Sequence, residues 1–320
     1  MGKLVLIDGH SILNRAFYGV PELTNSEGLH TNAVYGFLNI MFKILEEEKP
    51  DHLAVAFDLK EPTFRHKMYA DYKGTRKPMP EELREQVPLM KEVLAAMGVP
   101  ILTMAGYEAD DILGTIAKRC QAEGEEVSVV SGDRDLLQLA DIHIKIRIPK
   151  TSRGTTEIHD YYPEDVKREY QVTPTEFVDV KALMGDTSDN IPGVPSIGEK
   201  TATNLIVAYG SIENAYAHLD EVKPPRAKKA LEEHYDLAVM SKELAEICIT
   251  CPIPFEYEEA KIENLYTPEA YQYMKRLEFK SILARFDVQD MGGNSVEEHF
   301  WSVEDLSGAE QIFEKAKTAE

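Results

Sequence analysis

Three short apolar runs each give way to aspartate, and this repetition constrains the fold more than any other feature of the chain. Lys3-Leu4-Val5-Leu6-Ile7 leads into Asp8-Gly9-His10, Leu53-Ala54-Val55-Ala56-Phe57 into Asp58, and Val127-Ser128-Val129-Val130 into Ser131-Gly132-Asp133-Arg134-Asp135. Unbroken apolarity over so short a run marks strands buried on both faces, as in a parallel sheet. Helical periods separate them: Thr31 to Glu47, with Val34, Phe37, Leu38, Met41, Ile44 and Leu45 on one face, then Glu81 to Met97 and Asp110 to Glu123. Such alternation predicts an α/β fold with a mostly parallel, doubly wound central sheet flanked by helices. Ile101-Leu102 and His143 to Ile148 add two further strands, the latter alternating as a half-exposed edge. Ligands of these sheets lie beyond the carboxyl ends of the strands, so the three acidic ends are expected to share one crevice.

A second acidic feature lies at Gly106-Tyr107-Glu108-Ala109-Asp110-Asp111-Ile112-Leu113-Gly114. From Ile112 the pattern is helical, which puts the acids in the first turn, with Glu108 and Asp111 on one face. The helix dipole favours each acid there by only about 0.3–1 kcal/mol, too little to offset repulsion among three anions converging on a partly dry site. A hard cation such as Mg²⁺ or Mn²⁺ is the natural counter-charge. By itself the stretch reads equally well as a solvated turn with capping acids.

Composition narrows the class. With 320 residues, 43% apolar and 28% charged, the chain can build a globular core. No apolar run reaches the length of a membrane span, and Met1-Gly2-Lys3-Leu4 runs straight into a strand rather than a signal peptide; Leu6 stands where a myristoylation signal needs Ser or Thr. Cys120, Cys248 and Cys251 are too few for a disulfide framework, and Cys248-x-x-Cys251 has no second pair to complete a zinc site. The expectation is a reduced, cytoplasmic protein without membrane partners. A net charge of −21 argues at first against nucleic acid, but Lys60, Arg65, Lys67, Lys73, Arg76, Lys77 and Arg84 form a local basic segment. Glu61 to Pro80 carries Phe64, Tyr69 and Tyr72 and closes on Pro78 and Pro80, the look of a mobile insertion over the crevice that could grip phosphate.

Beyond Pro163 the strands stop. Thr173-Pro174-Thr175-Glu176 starts a helix that ends at Gly185, and Asp186-Thr187-Ser188-Asp189 follows with two more acids. Gly193-Val194-Pro195-Ser196-Ile197-Gly198-Glu199-Lys200-Thr201-Ala202 is a glycine-bounded hairpin opening a helix to Tyr209, a ready site for a backbone phosphate. The rest to Phe286 reads as helical, with Leu231, Leu237, Leu244, Leu277 and Leu283 in the core. Asp287 to His299 reads as a linker, and Trp301 to Glu320 as the start of a further domain.

Asp8, Asp58, Glu108, Asp110, Asp111, Asp133, Asp135, Asp186 and Asp189 form the candidate metal set. Nine carboxylates on one crevice require divalent ions, and two ions clamping attacking and leaving oxygens are an established solution for phosphodiester hydrolysis. Signatures of rivals are missing: no second Asp follows Asp8 two residues on, as an aspartyl-phosphate phosphatase would need, and no Gly-x4-Gly-Lys-Ser/Thr loop marks an NTPase.

At this point the motifs resemble the structure-specific 5′ nucleases, the flap endonucleases, and closely the N-terminal 5′-3′ exonuclease domain of bacterial DNA polymerase I. The resemblance rests on Val5 to His10, Val55 to Asp58, Phe64-Arg65-His66, Tyr72-Lys73-Gly74-Thr75-Arg76, Gly106 to Asp111, Ser131 to Asp135 and Gly185 to Val194, in the family's order. It implies a PIN-like nuclease core over residues 1–172 with a helical arch inserted at about 60–84. A helical DNA-binding region over 173–286 would contain a helix-hairpin-helix at about 185–209, and residues 287–320 would lead into a polymerase region of the same polypeptide. It also implies two or more Mg²⁺ or Mn²⁺ ions, K⁺ at the hairpin, and monomeric action at the nucleoid on 5′ flaps, nicks and RNA–DNA primer junctions. By the same resemblance Lys73 and Arg76 act on the scissile phosphate, and Tyr72 stacks on a base. DNA is held by Gly193, Val194, Ser196, Ile197, Gly198, Lys200 and Thr201, while Arg15 and Arg65 are either phosphate contacts or structural ion-pair partners. Ser196 departs from the usual hairpin glycine, which bears on cation binding there. Two other readings, a PIN-type ribonuclease and a non-catalytic DNA-binding module on the same fold, are separated from this one by a flap-cleavage assay.

Overall fold

A computed structural model describes residues 2–152 and 155–286. One six-stranded sheet organises them: β1 (Lys3–Asp8), β2 (His52–Ala56), β3 (Ile101–Leu102), β4 (Glu126–Val130), β5 (Ile144–Ser152) and β6 (Thr155–Tyr161), in the order β3-β2-β1-β4-β5-β6. The first five run parallel and β6 pairs antiparallel to β5. Successive β1 residues face opposite cores. Val5 and Ile7 pack with Phe37 and Met41 of α2 (Asn32–Glu48), which follows α1 (Gly9–Gly19). Leu4 and Leu6 pack with Ile112 and Ile116. A strand buried on both sides is apolar almost throughout, and the polar residue within β4, Ser128, is buried with its hydroxyl donating to Glu48 at 3.2 Å. Each fully buried Ile or Leu contributes about 1.5–3 kcal/mol over exposure.

The chain moves from β1 to β2 on one side and later to β4 on the other, so the carboxyl end of β1 lies at the point where strand order reverses, where such sheets leave a crevice. The remaining helices of this part are α3 (Phe64–Met68), α4 (Glu81–Ala96) and α5 (Ala109–Ala122). The expected exposed edge over His143 to Ile148 is instead internal, because β6 covers it. Thr155 to Tyr161 is mostly polar and has no strand signature of its own; the partner β5 makes it a strand.

The second half is helical: α6 (Pro163–Tyr170), α7 (Pro174–Met184), α8 (Glu199–Tyr209), α9 (Ile212–Ala217), α10 (Pro225–Glu233), α11 (Tyr235–Ala245), α12 (Pro268–Arg276) and α13 (Lys280–Leu283). Thr173 and Glu176 form the reciprocal capping box that starts α7. Leu231, Leu244 and Leu277 are buried, and Leu237 and Leu283 are half-buried. Residues 173–286 pack against the sheet region. Cys248 and Cys251 hydrogen-bond Thr115, and the Arg119 guanidinium donates to the Cys251 and Ile253 carbonyls, strapping the chain along α5. The helices α12 and α13 then return to the sheet, where Met274, Leu277 and Phe286 share the core of Val5 and Phe37. Among the described residues no helix is long and apolar enough to cross a membrane. The expected linker and further domain over 287–320 lie outside the described residues.

Candidate active site

Asp8 is both strand end and helix cap. Its Oδ1 accepts from the Ser11 amide at 3.0 Å, satisfying an open donor of α1, and its Oδ2 accepts from the Ser131 hydroxyl at 2.8 Å. Burial, with Asp58 and Asp133 nearby, pushes Asp8 up to about 6 despite those hydrogen bonds. Asp58 follows β2, and its Oδ1 accepts from the Ala109 amide at 2.7 Å, so it caps the start of α5 from another element. Burial opposes its charge, but hydrogen bonding from His10 and Ala109 prevails and holds it below its ordinary value. Asp110 projects from the first turn of α5, and burial followed by the charges of Asp8, Asp133 and Asp58 drives it well above the ordinary carboxylate range. Its Oδ1 is buried without a hydrogen-bond partner.

The other two acids of the Glu108 stretch do different work. Asp111 is completely buried, and its oxygens take a bidentate grip from Arg65, 2.8 Å on each side. The same carboxylate accepts from the Glu108 amide at 3.0 Å, forming the capping box, and from the Cys248 amide at 2.8 Å. With its oxygens engaged by Arg65, Glu108 and Cys248 and its side chain absent from the lining of the cleft, Asp111 serves a structural role in this conformation. Arg65 correspondingly is an internal tie, also donating to the Leu244 and Glu246 carbonyls. The i, i+3 spacing of Glu108 and Asp111 expresses a capping box, and of the two only Glu108 lines the cleft.

The basic segment is docked, not free. Tyr72 is 3% exposed, its hydroxyl donating to Glu108 at 3.1 Å and Asp189 at 3.2 Å, so in this conformation it offers no face to a base. The Lys73 ammonium lies 2.8 Å from Glu108 Oε1 and 3.8 Å from Asp189 Oδ2. Arg76 pairs with Asp189 and donates to the Ser188 carbonyl at 3.2 Å. The Lys73 amide donates to the Asp189 carbonyl at 2.8 Å and Asn190 reaches back to the Asp71 carbonyl at 2.7 Å, joining this segment to the Asp186 loop. Burial works against the charge of Lys73 and Arg76, but Glu108 and Asp189 outweigh it and raise both.

Asp133, Asp135 and Asp186 complete the cleft. Asp133 Oδ1 accepts from the Asp135 amide at 2.9 Å. The Lys181 ammonium, from the last turn of α7, contacts both Asp135 and Asp186. Burial and the charge of Asp133 push Asp135 up to about 7 even so, whereas Lys181 and the Ser188 hydrogen bonds overcome burial and hold Asp186 at about 2. Sequence reasoning missed Lys181 because it lies inside an ordinary helical pattern; its one signal was a basic residue a turn before Gly185 and Asp186. Seven of the nine expected acids line a cleft of about 1320 Å³, together with Lys73, Arg76, Arg15 and Lys181; Asp111 and Asp189 do not. The Arg15 Nε is buried without a hydrogen-bond partner.

The hairpin after α7 separates backbone from surface roles. A Cβ on Gly193 would stand 2.4 Å from the Gly185 nitrogen, so both glycines, at φ +64° and +76°, exist to let two backbones touch. Val194 and Ile197 are buried, and the Val194 amide donates to the Leu183 carbonyl at 2.8 Å, so their side chains anchor the hairpin rather than face a ligand. Ser196 sits at φ +72°, the conformation glycine would adopt without strain, and its hydroxyl accepts from Arg226 at 3.0 Å. Gly198 has open space around its Cβ direction, with Lys200 exposed and Thr201 half-buried beside it.

Asp8, Asp58, Asp110 and Asp133 have no Lys or Arg within 4 Å among the described residues. Their donors are all hard oxygens and one is a buried orphan, which is the chemistry of a Mg²⁺ or Mn²⁺ site. Among the described residues no three His, Cys, Asp or Glu side chains form a preassembled ligand group.

Residues 3–171 match the family described as 5′-3′ exonuclease, N-terminal resolvase-like domain, and residues 172–267 match 5′-3′ exonuclease, C-terminal SAM fold. The chain belongs to the 5′-3′ exonuclease family. It is 47% identical over 285 residues to DNA polymerase I of Bacillus caldotenax, covering 89% of this chain and 32% of that protein. It is 45% identical over 306 residues to DNA polymerase I of Bacillus subtilis, covering 95% and 34%. The chain thus spans about a third of the length of these relatives. In fold it resembles the bacteriophage T5 flap endonuclease crystallised as a pseudo-enzyme-product complex with DNA and metal ions, with a TM-score of 0.64 at 22% identity, over 90% of this chain and 97% of that one.

Proposed function

We propose that this chain is a divalent-metal-dependent 5′ nuclease that hydrolyses phosphodiester bonds at 5′ flaps, nicks, RNA–DNA primer junctions and 5′ ends of duplex DNA. In this reading it acts as a monomer at the nucleoid of a bacterial cytoplasm, in one polypeptide with a polymerase region. The observation that carries the reading is the set of four acids gathered at the ends of three adjacent parallel strands and the start of α5 without Lys or Arg partners, one with a buried orphan oxygen. Family membership and the metal ions and DNA bound by the T5 protein support it.

Asp8, Asp110 and Asp133, backed by Asp58, would hold one ion, and Asp135 with Asp186 a second. When bound, such a pair supplies activation of the attacking water and charge stabilisation at the departing 3′ oxygen. Lys73 and Arg76, already on the cleft wall, turn toward the scissile phosphate and offset charge that grows in the transition state. Arg15, half-buried with an unpartnered Nε, anchors a neighbouring phosphate. The exposed strip from Gly198 to Thr201 lets duplex backbone approach closely, away from the chemistry. We place the division between nuclease core and helical region at 172/173, with α12 and α13 serving the core.

Digestion of a labelled 5′-flap duplex with Mg²⁺ and with EDTA tests the reading. Cleavage near the flap base with Mg²⁺ alone is expected. Undiminished cleavage in EDTA, or cleavage of single-stranded RNA in preference to the flap, overturns it.

A further inference from the structure

The acids of the cleft fall into two groups by their counter-charges. Asp8, Asp58, Asp110 and Asp133 have no Lys or Arg partner among the described residues, whereas Asp135 and Asp186 share one. The Lys181 Nζ lies 2.5 Å from Asp135 Oδ1 and in direct contact with Asp186 Oδ2. The two carboxylate oxygens are therefore no more than about 5 Å apart, and a Mg²⁺ ion with oxygens at about 2.1 Å would span roughly 4.2 Å. The gap is of the size one cation fills, and an ammonium fills it.

Every member of this triad stands on a fixed element. Lys181 ends a helix begun by a capping box and is 12% exposed; Asp186 is held by the Ser188 amide and hydroxyl and by backbone pairing with Ile191; Asp135 is placed by the Asp133 carboxylate. Lys181 also lines the cleft, so its tip can swing there when its partners are taken.

We propose that Lys181 is a built-in stand-in for the second divalent ion, occupying the place between Asp135 and Asp186 until that ion displaces it. The inference rests on the metal-dependent reading above. The acids without a Lys or Arg partner fill first, and Asp135 and Asp186 take an ion only against competition from Lys181. The displaced ammonium, still on the cleft wall, becomes a donor for a DNA phosphate, so the second ion and the substrate reinforce each other by linkage.

Electron paramagnetic resonance of free Mn²⁺ counts and ranks the bound ions on the wild-type chain, on Lys181→Met and on Lys181→Arg, each checked for folding by circular dichroism. In the wild type one ion binds tightly and the second weakly. Lys181→Met tightens the second by at least roughly thirtyfold, the effect of removing a unit charge about 4 Å from a divalent ion even at water-like screening. The first is nearly unaffected, and Lys181→Arg keeps the second weak. An amine-reactive footprint of the wild type provides the check should Lys181→Met not fold: Lys181 labels several times faster once Mn²⁺ saturates the second site. A second dissociation constant unchanged in folded Lys181→Met, or Lys181 labelling unchanged on filling that site, overturns the inference while leaving the metal-dependent reading intact. Absence of Mn²⁺ binding to a wild type that still cleaves flaps overturns both.

Discussion

Replacing Asp8 by Asn should make the metal-free protein more stable while disabling it. Burial and the charges of Asp58 and Asp133 raise Asp8 from an ordinary value near 3.8 to about 6. Between those values the folded chain holds a proton that the unfolded chain has released, so stability falls as pH rises through that window, and the penalty is complete above about pH 6. A rise from 3.8 to about 6 corresponds to roughly 3 kcal/mol at pH 7.5, shrinking to about 1 kcal/mol near pH 4.5. Asn keeps the local structure: its Oδ1 can accept from the Ser11 amide and its amide can donate to the Ser131 hydroxyl, and Asn is a good helix cap. At about 2 °C per kcal/mol for a chain of this size, the melting temperature in EDTA should rise by about 6 °C at pH 7.5 and about 2 °C at pH 4.5. Circular-dichroism melts at the two pH values measure this. Saturating Mg²⁺ should narrow or invert the difference, because only the wild type gains the full binding energy of the ion. A variant less stable than wild type in EDTA at pH 7.5, or a difference that ignores pH, would falsify the mutual-repulsion account of the cleft.

Asp111→Ala should cost about 3–5 kcal/mol of stability by leaving the Arg65 guanidinium buried without its anion; an unchanged melt with weakened Mn²⁺ affinity would instead make Asp111 a ligand. Lys73→Ala should lower the single-turnover rate by about 10²- to 10³-fold even at saturating flap DNA, the usual loss of a donor aimed at transition-state charge; a rate within about threefold of wild type would demote Lys73 to an electrostatic guide. Gly198→Val should weaken duplex binding at fixed salt with little change in melting temperature, since the side chain enters open space. Gly193→Ala should do the opposite first, lowering the melting temperature because its Cβ would lie 2.4 Å from the Gly185 nitrogen. Equal melting behaviour of the two glycine variants would contradict this division.

Strand ends and helix starts were legible because they are local. The runs to Asp8, Asp58 and Asp133 announce buried parallel strands, and the sheet order β2-β1-β4 puts all three side by side. The Thr173 capping box and the Gly193 hairpin were readable for the same reason: their chemistry involves residues within a few positions of one another. The Glu108 stretch was legible as acidic, but not in its division of labour, since whether a carboxylate faces solvent, metal or guanidinium depends on what arrives from elsewhere. Arg65 arrives 46 positions away to claim Asp111, and the Cys248 amide arrives from 137.

The sequence by itself therefore determined the α/β class, the acidic crevice and its hard-oxygen chemistry, because strand periodicity and residue type suffice for these. Tertiary structure decided which acids are counter-charged. It folded the basic segment onto Glu108 and Asp189, buried Tyr72, placed Lys181 between Asp135 and Asp186, and returned α12 and α13 to the first core. The physical reason is that charge compensation is a property of distance in space. An acid with no Lys or Arg in contact and an acid already paired with one are the same letter in a sequence, and only the packing of distant elements separates the four of the first kind from the five of the second.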